Sequence, residues 1–215
     1  LALPDIDFGI VPLHVIVGEN DYVDDDKIDL TAMQKDLSSY KGKTSTSSPS
    51  PHEWENAFGD ADVVFCITIT SSLSGTYNSA VIAKDIYEQN HAGRKVYVLD
   101  SLSTGPEIAL FIEKIAELIK VGFAPDDIYK TLLEYKDKTH LYFSLASLNN
   151  FAKNGRISPV IAAGIGLLGV RVVGKASDEG TLLPLDKCRG EKRALKKLID
   201  HLKECGYTDG KIIIA

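Results

Sequence analysis

The chain has 215 residues, 44% apolar and 25% charged, with a net charge of −6. That is the balance of an ordinary globular protein, long enough for one large core or two small ones. Its acidity argues against a general nucleic-acid surface, which would be basic.

No apolar run is long enough to span a bilayer and no signal peptide is visible, so stable membrane insertion is not expected. Cys66, Cys188 and Cys205 are widely spaced and form no CxxC pair, which reads as reduced thiols of a cytoplasmic protein. The histidines show no metal-ligand spacing. The chain begins without Met and closes on an apolar Lys211–Ala215 run, so segments are expected to be missing at both ends.

In chain order, Ile10–Val17 is rich in β-branched residues and predicts a strand. Asp24, Asp25 and Asp26 follow in an acidic loop, read as solvated rather than cation-binding because no EF-hand spacing accompanies them. Asp29 precedes a short helix over 31–40. The polar run 43–51 carries Ser and Pro, which keep it out of helix and central strand. A helix resumes near His52. Val63–Ile69 is a continuous apolar run, the pattern of a strand covered on both faces.

It leads into Thr70-Ser-Ser-Leu-Ser-Gly-Thr-Tyr77 and a helix starting near Leu73 and reaching about Gln89. Lys95–Leu99 is another buried strand and runs into Asp100-Ser-Leu-Ser-Thr-Gly105. Ile108, Ile112, Ile115 and Ile119 stand at helical spacing, and Pro125 starts a further helix. Alternation of this kind predicts a parallel sheet with flanking helices.

The second half differs. His140–Leu145 reads as a strand, Leu148–Lys153 as a short helix, and Asn154-Gly155 as its stop. Strands near 170–175 and 181–187 flank Ser177–Gly180, a turn that suggests an antiparallel hairpin. Leu195, Leu198, Ile199 and Leu202 mark a last helix, and 211–215 a final strand. The expected fold is a two-lobed α/β protein: an N-terminal lobe over 1–140 whose first strand is missing, and a second α/β lobe over 141–215 holding the hairpin, with its C-terminal part missing.

Ligands of open α/β sheets bind beyond the carboxyl ends of the strands. Thr70–Thr76 and Ser101–Thr104 lie there and are rich in hydroxyls, and Thr44–Ser50 is a third such segment. With a helix N-terminus beside them they make a neutral anion site. The same residues also serve commonly as caps and turn formers. Serine hydrolysis or acyl transfer is the rival chemistry, but there is no G-x-S-x-G elbow and no evident base. Gly164–Gly169 fits GxGxxG on paper in the wrong context, with a strand after it rather than before; a packing surface or acyl-chain wall suits it better. Lys187, Arg189, Lys192, Arg193, Lys196 and Lys197 form a basic cluster, either a solvated helix face or a docking patch for an acidic partner. Arg156 serves either the end of the preceding helix or a nearby anion.

Several segments together resemble the DegV family. Thr46-Ser-Ser-Pro-Ser-Pro51 is similar to its T-S-Q-P-S-P segment, with Ser48 where Gln is usual. Ser71-Ser-Leu-Ser-Gly-Thr-Tyr77 is similar to S-S-x-L-S-G-T-Y, one residue shorter. Val11–Val15, Asp100–Glu107, Asn154–Ser158 and Lys187–Leu195 resemble further family segments, in the family's order.

The resemblance implies a non-enzymatic lipid carrier without cofactor. A long-chain fatty acid would lie in an apolar tunnel with its carboxylate on Ser and Thr hydroxyls, and a separate ATP-dependent fatty acid kinase subunit would act on it. By motif position the carboxylate contacts are Thr46, with Ser47 beside it, and one of Thr70, Ser71 and Ser74 next to Gly75. Arg156 would lie near the headgroup and the docking face, with Arg189 as a second docking candidate. A C-terminal His that the family places at the carboxylate lies beyond this chain. A carrier of another anionic small molecule remains the alternative.

Overall fold

The computed structural model describes residues 6–157 and 169–215. Among the described residues, three sheets organise it. The first is antiparallel, in the order β2-β1-β3, and is built from β1 (His14–Val17), β2 (Asn20–Val23) and β3 (Ser45–Ser47). The expected strand over 10–17 is therefore only its second half. It turns at Gly18, whose φ of +64° suits glycine, and pairs back on Asn20–Val23, so part of the stretch leading to the acidic loop is strand. The Ser-rich run supplies β3, an edge strand on β1, which is the place its Pro and Ser allow.

Helix α1 (Leu30–Ser39) is capped by the Asp29 side chain, and α2 (Pro51–Phe58) by Ser50 in a reciprocal capping box with Glu53. Strands β4 (Val63–Thr68) and β5 (Lys95–Asp100) pair in parallel across the crossover helix α3 (Thr76–Asn90). The parallel sheet expected from the alternation thus has two strands among the described residues. Both of its faces are covered, as the unbroken apolar run of β4 implied. Cys66, Val96 and Val98 pack with Trp54, Phe58, Ala80, Ala83 and Tyr87 on one side. Leu99 packs with Phe111, Ile115 and Leu118 of α4 (Pro106–Lys120) and with Ile128 and Leu132 of α5 (Pro125–Lys136) on the other. Burial pushes the Cys66 thiol up to about 12, so it is an inert core residue.

The third sheet is antiparallel, in the order β6-β7-β8: β6 (Tyr142–Leu145), β7 (Val170–Ala176) and β8 (Leu182–Arg189). Helix α6 (Asn149–Lys153) lies between β6 and β7 in the chain, and α7 (Glu191–Glu204) follows β8. Successive residues of β7 serve opposite faces, Val172 packing with Leu148 and Ile157, and Val173 with Cys188 and Ala194. The predicted hairpin is present. The final strand is not: residues 211–215 join no sheet, Ile214 is 91% exposed, and Lys211 is tied instead to Glu113. An apolar run alone does not make a strand without a partner edge.

Candidate functional site

The three hydroxyl-rich segments meet at the carboxyl ends of β4 and β5. The first, following β3, is locked from below. Ser50 caps α2, and its backbone N–H and hydroxyl both donate to the Glu53 carboxylate at 2.7 Å. Those bonds hold the Glu53 carboxyl below its ordinary range. Glu53 also faces His14 at 3.5 Å. The Asp21 carboxylate, with Glu53 adding to it, raises the His14 imidazole above its ordinary value. Buried Pro49 gives its carbonyl to the Ser79 hydroxyl of α3 at 2.5 Å. A Cβ on Gly75 would come within 3.2 Å of Ser48 Oγ, so the first motif rests directly on the second.

The second segment is closed mostly on itself. Thr70, 1% exposed, donates its hydroxyl to Gly180 O at 2.9 Å and accepts the Ser72 N–H at 3.2 Å. The Ser72 hydroxyl donates to Glu179 O at 2.5 Å. Leu73 N and Ser74 N both reach Thr70 O, and Ser74 Oγ accepts from Thr76 N while lying 2.7 Å from the Thr76 hydroxyl. Helix α3 therefore begins at Thr76, three residues later than the pattern near Leu73 suggested, because these serines form a capped turn instead of a first helical turn. Most backbone donors expected to face an anion here have internal acceptors.

Two of the predicted carboxylate contacts are left exposed with unbonded hydroxyls, and the Ser103 hydroxyl is buried without a partner among the described residues. Ser71 is exposed and its hydroxyl makes no hydrogen bond among the described residues; its N–H is held by the Asp100 carboxylate at 3.2 Å. Thr46 is exposed on β3, opposite Val15, and its hydroxyl likewise has no partner among the described residues. Ser47 is exposed and donates to Ser48 O at 3.3 Å.

The third segment was read as a hydroxyl source and contributes scaffolding. Ser103 O accepts the Thr70 N–H at 2.8 Å, and Ser101 Oγ bonds both the N–H and the carbonyl of Ser103 at 3.1 Å. Asp100 Oδ1 also accepts from Leu102 N at 3.1 Å. Sequence reasoning missed Asp100 and the Ser177–Gly180 turn as parts of this region. The available signals were an acid directly at the carboxyl end of a buried strand and a glycine closing the hairpin turn.

Arg156 reaches the second segment, its Nε donating to Leu73 O and its Nη1 to Asn154 O at 2.8 Å. Arg189 does not approach. It closes β8 opposite Val170, seven residues beyond Leu182 and so about 23 Å along the strand from the turn that meets Thr70. Of the segment 164–169, only Gly169 falls within the described residues.

A cavity of about 920 Å³ runs along β4. Every residue from Val63 to Ile69 lines it, between Trp54 and Phe58 of α2 and Ile108, Ile112 and Ile119 of α4. Alternate residues of a strand point to opposite faces, so lining by all of them means a groove along the strand edge, not a pocket on one face. Among the described residues β4 bonds only to β5, so that edge offers unpaired peptide groups. The extended segment 6–13 lines the same cavity.

No group of three or more metal-ligating side chains exists among the described residues, no described helix is long and apolar enough to cross a membrane, and no described serine hydroxyl is bonded to a histidine.

These features define a class: a mixed α/β protein with a parallel pair, an antiparallel hairpin sheet, and a hydroxyl-rich cluster where the two sheets approach. The sequence profile described as "Uncharacterised protein, DegV family" matches residues 3–215, and the chain belongs to the DegV family. A DegV domain-containing protein of Streptococcus pneumoniae is 40% identical over 208 residues, covering 97% of this chain and 74% of its own length. Among solved structures, a DegV family protein of Eubacterium eligens loaded with heptadecanoic acid superposes with a TM-score of 0.92 at 40% identity, over 96% of this chain and 75% of that one. The Fatty Acid Kinase (Fak) B3 protein of Streptococcus pneumoniae, loaded with linoleic acid, superposes with a TM-score of 0.89 at 40% identity, over 92% of this chain and 70% of that one.

Proposed function

We propose that this protein binds one long-chain fatty acid, holds its carboxylate on Ser and Thr hydroxyls, and presents it to a separate ATP-dependent fatty acid kinase. The observation that carries this reading is the convergence of the two motifs, in which most hydroxyls are spent on structure while those of Thr46 and Ser71 stay exposed and unengaged. Both are neutral donors, suited to a carboxylate without fixing it as tightly as a full ion pair. The fatty acids in the E. eligens and S. pneumoniae structures, and the kinase named with the latter, support the ligand and the partner.

In this reading Thr46, Ser71 and Ser74 surround the headgroup, with Ser47 and Gly75 forming the floor. Thr70 contributes through the loop it holds, since its hydroxyl is committed to Gly180. Arg156 lies at the kinase-facing rim, and Arg189 belongs to a separate patch. The tail lies in an apolar tunnel, and we assign residues 1–140 to a first lobe and 141–215 to a second. Each buried CH₂ contributes about 0.8 kcal/mol, so the tail supplies affinity and the headgroup supplies selection.

The test is native mass spectrometry of protein produced in bacteria. A bound mass in the C14–C18 fatty acid range, or uptake of palmitate or oleate by delipidated protein, is expected. Protein that carries no acid and accepts neither would refute the reading. A covalent adduct of Ser71 with a fluorophosphonate would point to hydrolase chemistry instead.

A further inference from the structure

Asp100 has no assigned role, yet its carboxylate bonds to both loops at the carboxyl ends of the parallel strands, to Ser71 in one and Leu102 in the other. It stands last on β5, opposite Thr68, the last residue of β4. Oδ1 accepts from Ser71 N at 3.2 Å and from Leu102 N at 3.1 Å, and Oδ2 lies 3.3 Å from Ser71 N.

Both recipients are unusual. Ser71 carries the unengaged hydroxyl of the second motif. Leu102 is the only non-glycine residue with positive φ among those described, at +53°. A leucine in that region is strained and persists only where its surroundings hold it. The turn that follows matters to the site as well. Ser103 O fixes Thr70 N, and Leu102 Cα lies 3.0 Å from where a Cβ on Gly180 would stand. A charged acceptor on two backbone donors is about twice as strong as a neutral one.

We propose that Asp100 is a positioning residue for the headgroup site: its carboxylate clamps Ser71 and Leu102 so that the Ser71 hydroxyl points away from the loop and toward the ligand. The inference rests on the fatty-acid reading and adds a residue to it. By taking the Ser71 N–H, Asp100 leaves the hydroxyl as the donor that Ser71 offers. Without the clamp, the Ser71 N–H and hydroxyl are free to turn inward, and the loop loses its preference for a carboxylate. Affinity for the tail does not depend on the clamp.

The test compares two ligands with one tail, palmitate and 1-hexadecanol, on delipidated wild type, Asp100→Ala and Asp100→Asn. Asp100→Ala is expected to lose the preference for palmitate by about tenfold while hexadecanol binds within about twofold of wild type. Asp100→Asn, which keeps one neutral acceptor, falls between and guards against a variant that fails to fold. Adding Ser71→Ala to either variant is expected to cost little more, because both changes remove the same contact. An unchanged palmitate preference in both variants, an equal loss of both ligands, or full additivity with Ser71→Ala would each overturn the role of Asp100. Wild type that binds hexadecanol and palmitate alike, or neither, would instead overturn the carboxylate site itself.

Discussion

Residues 45–51 and 70–76 look alike in sequence, both short runs of Ser and Thr beside a helix start, and the structure uses them in different ways. The first lies on an edge strand, is pinned through its last residues by the Ser50–Glu53 box and the Pro49–Ser79 bond, and leaves Thr46 exposed. The second is a knot of internal hydrogen bonds that also fastens the Ser177–Gly180 turn through Thr70 and Ser72. A hydroxyl count therefore does not measure a binding site. What matters is which hydroxyls the fold leaves both exposed and unspent, and here each segment leaves one, Thr46 and Ser71.

The sharpest way to break that contrast is at Gly180. Its φ is +73°, and a Cβ there would stand 2.1 Å from Thr70 Oγ1. Gly180→Val is expected to cost more than about 3 kcal/mol in urea unfolding, by overpacking against the loop and by backbone strain. A cost under about 1 kcal/mol would mean that the turn does not bear on Thr70. Thr70→Val keeps the shape and leaves Gly180 O without its donor; about 1–3 kcal/mol is expected, by the same measurement.

Much of this framework was legible beforehand. The unbroken apolar runs of β4 and β5 declared a sheet covered on both faces, and the i, i+3, i+4 stripes of α4 and α7 declared helices. The turn at Ser177–Gly180 declared the hairpin. The rest was hidden for physical reasons. The β1–β2 hairpin escaped because Asn20-Asp-Tyr-Val23 is a short edge strand in which two exposed polar residues precede two half-buried ones, so no alternation marks it. Residues 211–215 read as a strand because composition reports apolarity and not the presence of a partner edge. In the site, the two motifs could be placed together, but which hydroxyls were spent depended on contacts about 110 residues apart in the chain, such as Thr70 to Gly180. Arg189 was named for its charge, and β8 carries it to the far end of the hairpin.

Smaller effects sharpen the account of the first segment. Ser50→Ala removes a helix cap and is expected to lower stability by about 1 kcal/mol in thermal unfolding, leaving Thr70→Val the more damaging change. The pH dependence has two limbs. Glu53 is held below its ordinary value, so its contribution is present above the normal carboxyl range and is lost as pH falls through its lowered pKa. His14 is raised, so its contribution is full below the normal imidazole range and is lost as pH rises through its raised pKa. Stability of this segment is expected to peak between about pH 4.5 and 6.5. His14→Gln should flatten the upper limb by less than about 1 kcal/mol, as checked by melting temperature against pH. An upper limb unchanged in that variant would remove His14 from the account.

Smallest of all in stability are the two exposed, unspent hydroxyls of Thr46 and Ser71. Thr46→Ala and Ser71→Ala should each leave unfolding within about 0.5 kcal/mol of wild type, since no internal bond is lost. Their effect belongs to the ligand. The most direct measurement is a calorimetric titration of delipidated wild type and of the Thr46→Ala/Ser71→Ala double variant with palmitate and with 1-hexadecanol. The account predicts that wild type prefers palmitate by at least about tenfold, and that the variant binds both ligands alike with its affinity for hexadecanol intact. A double variant that keeps the full preference for palmitate would contradict it.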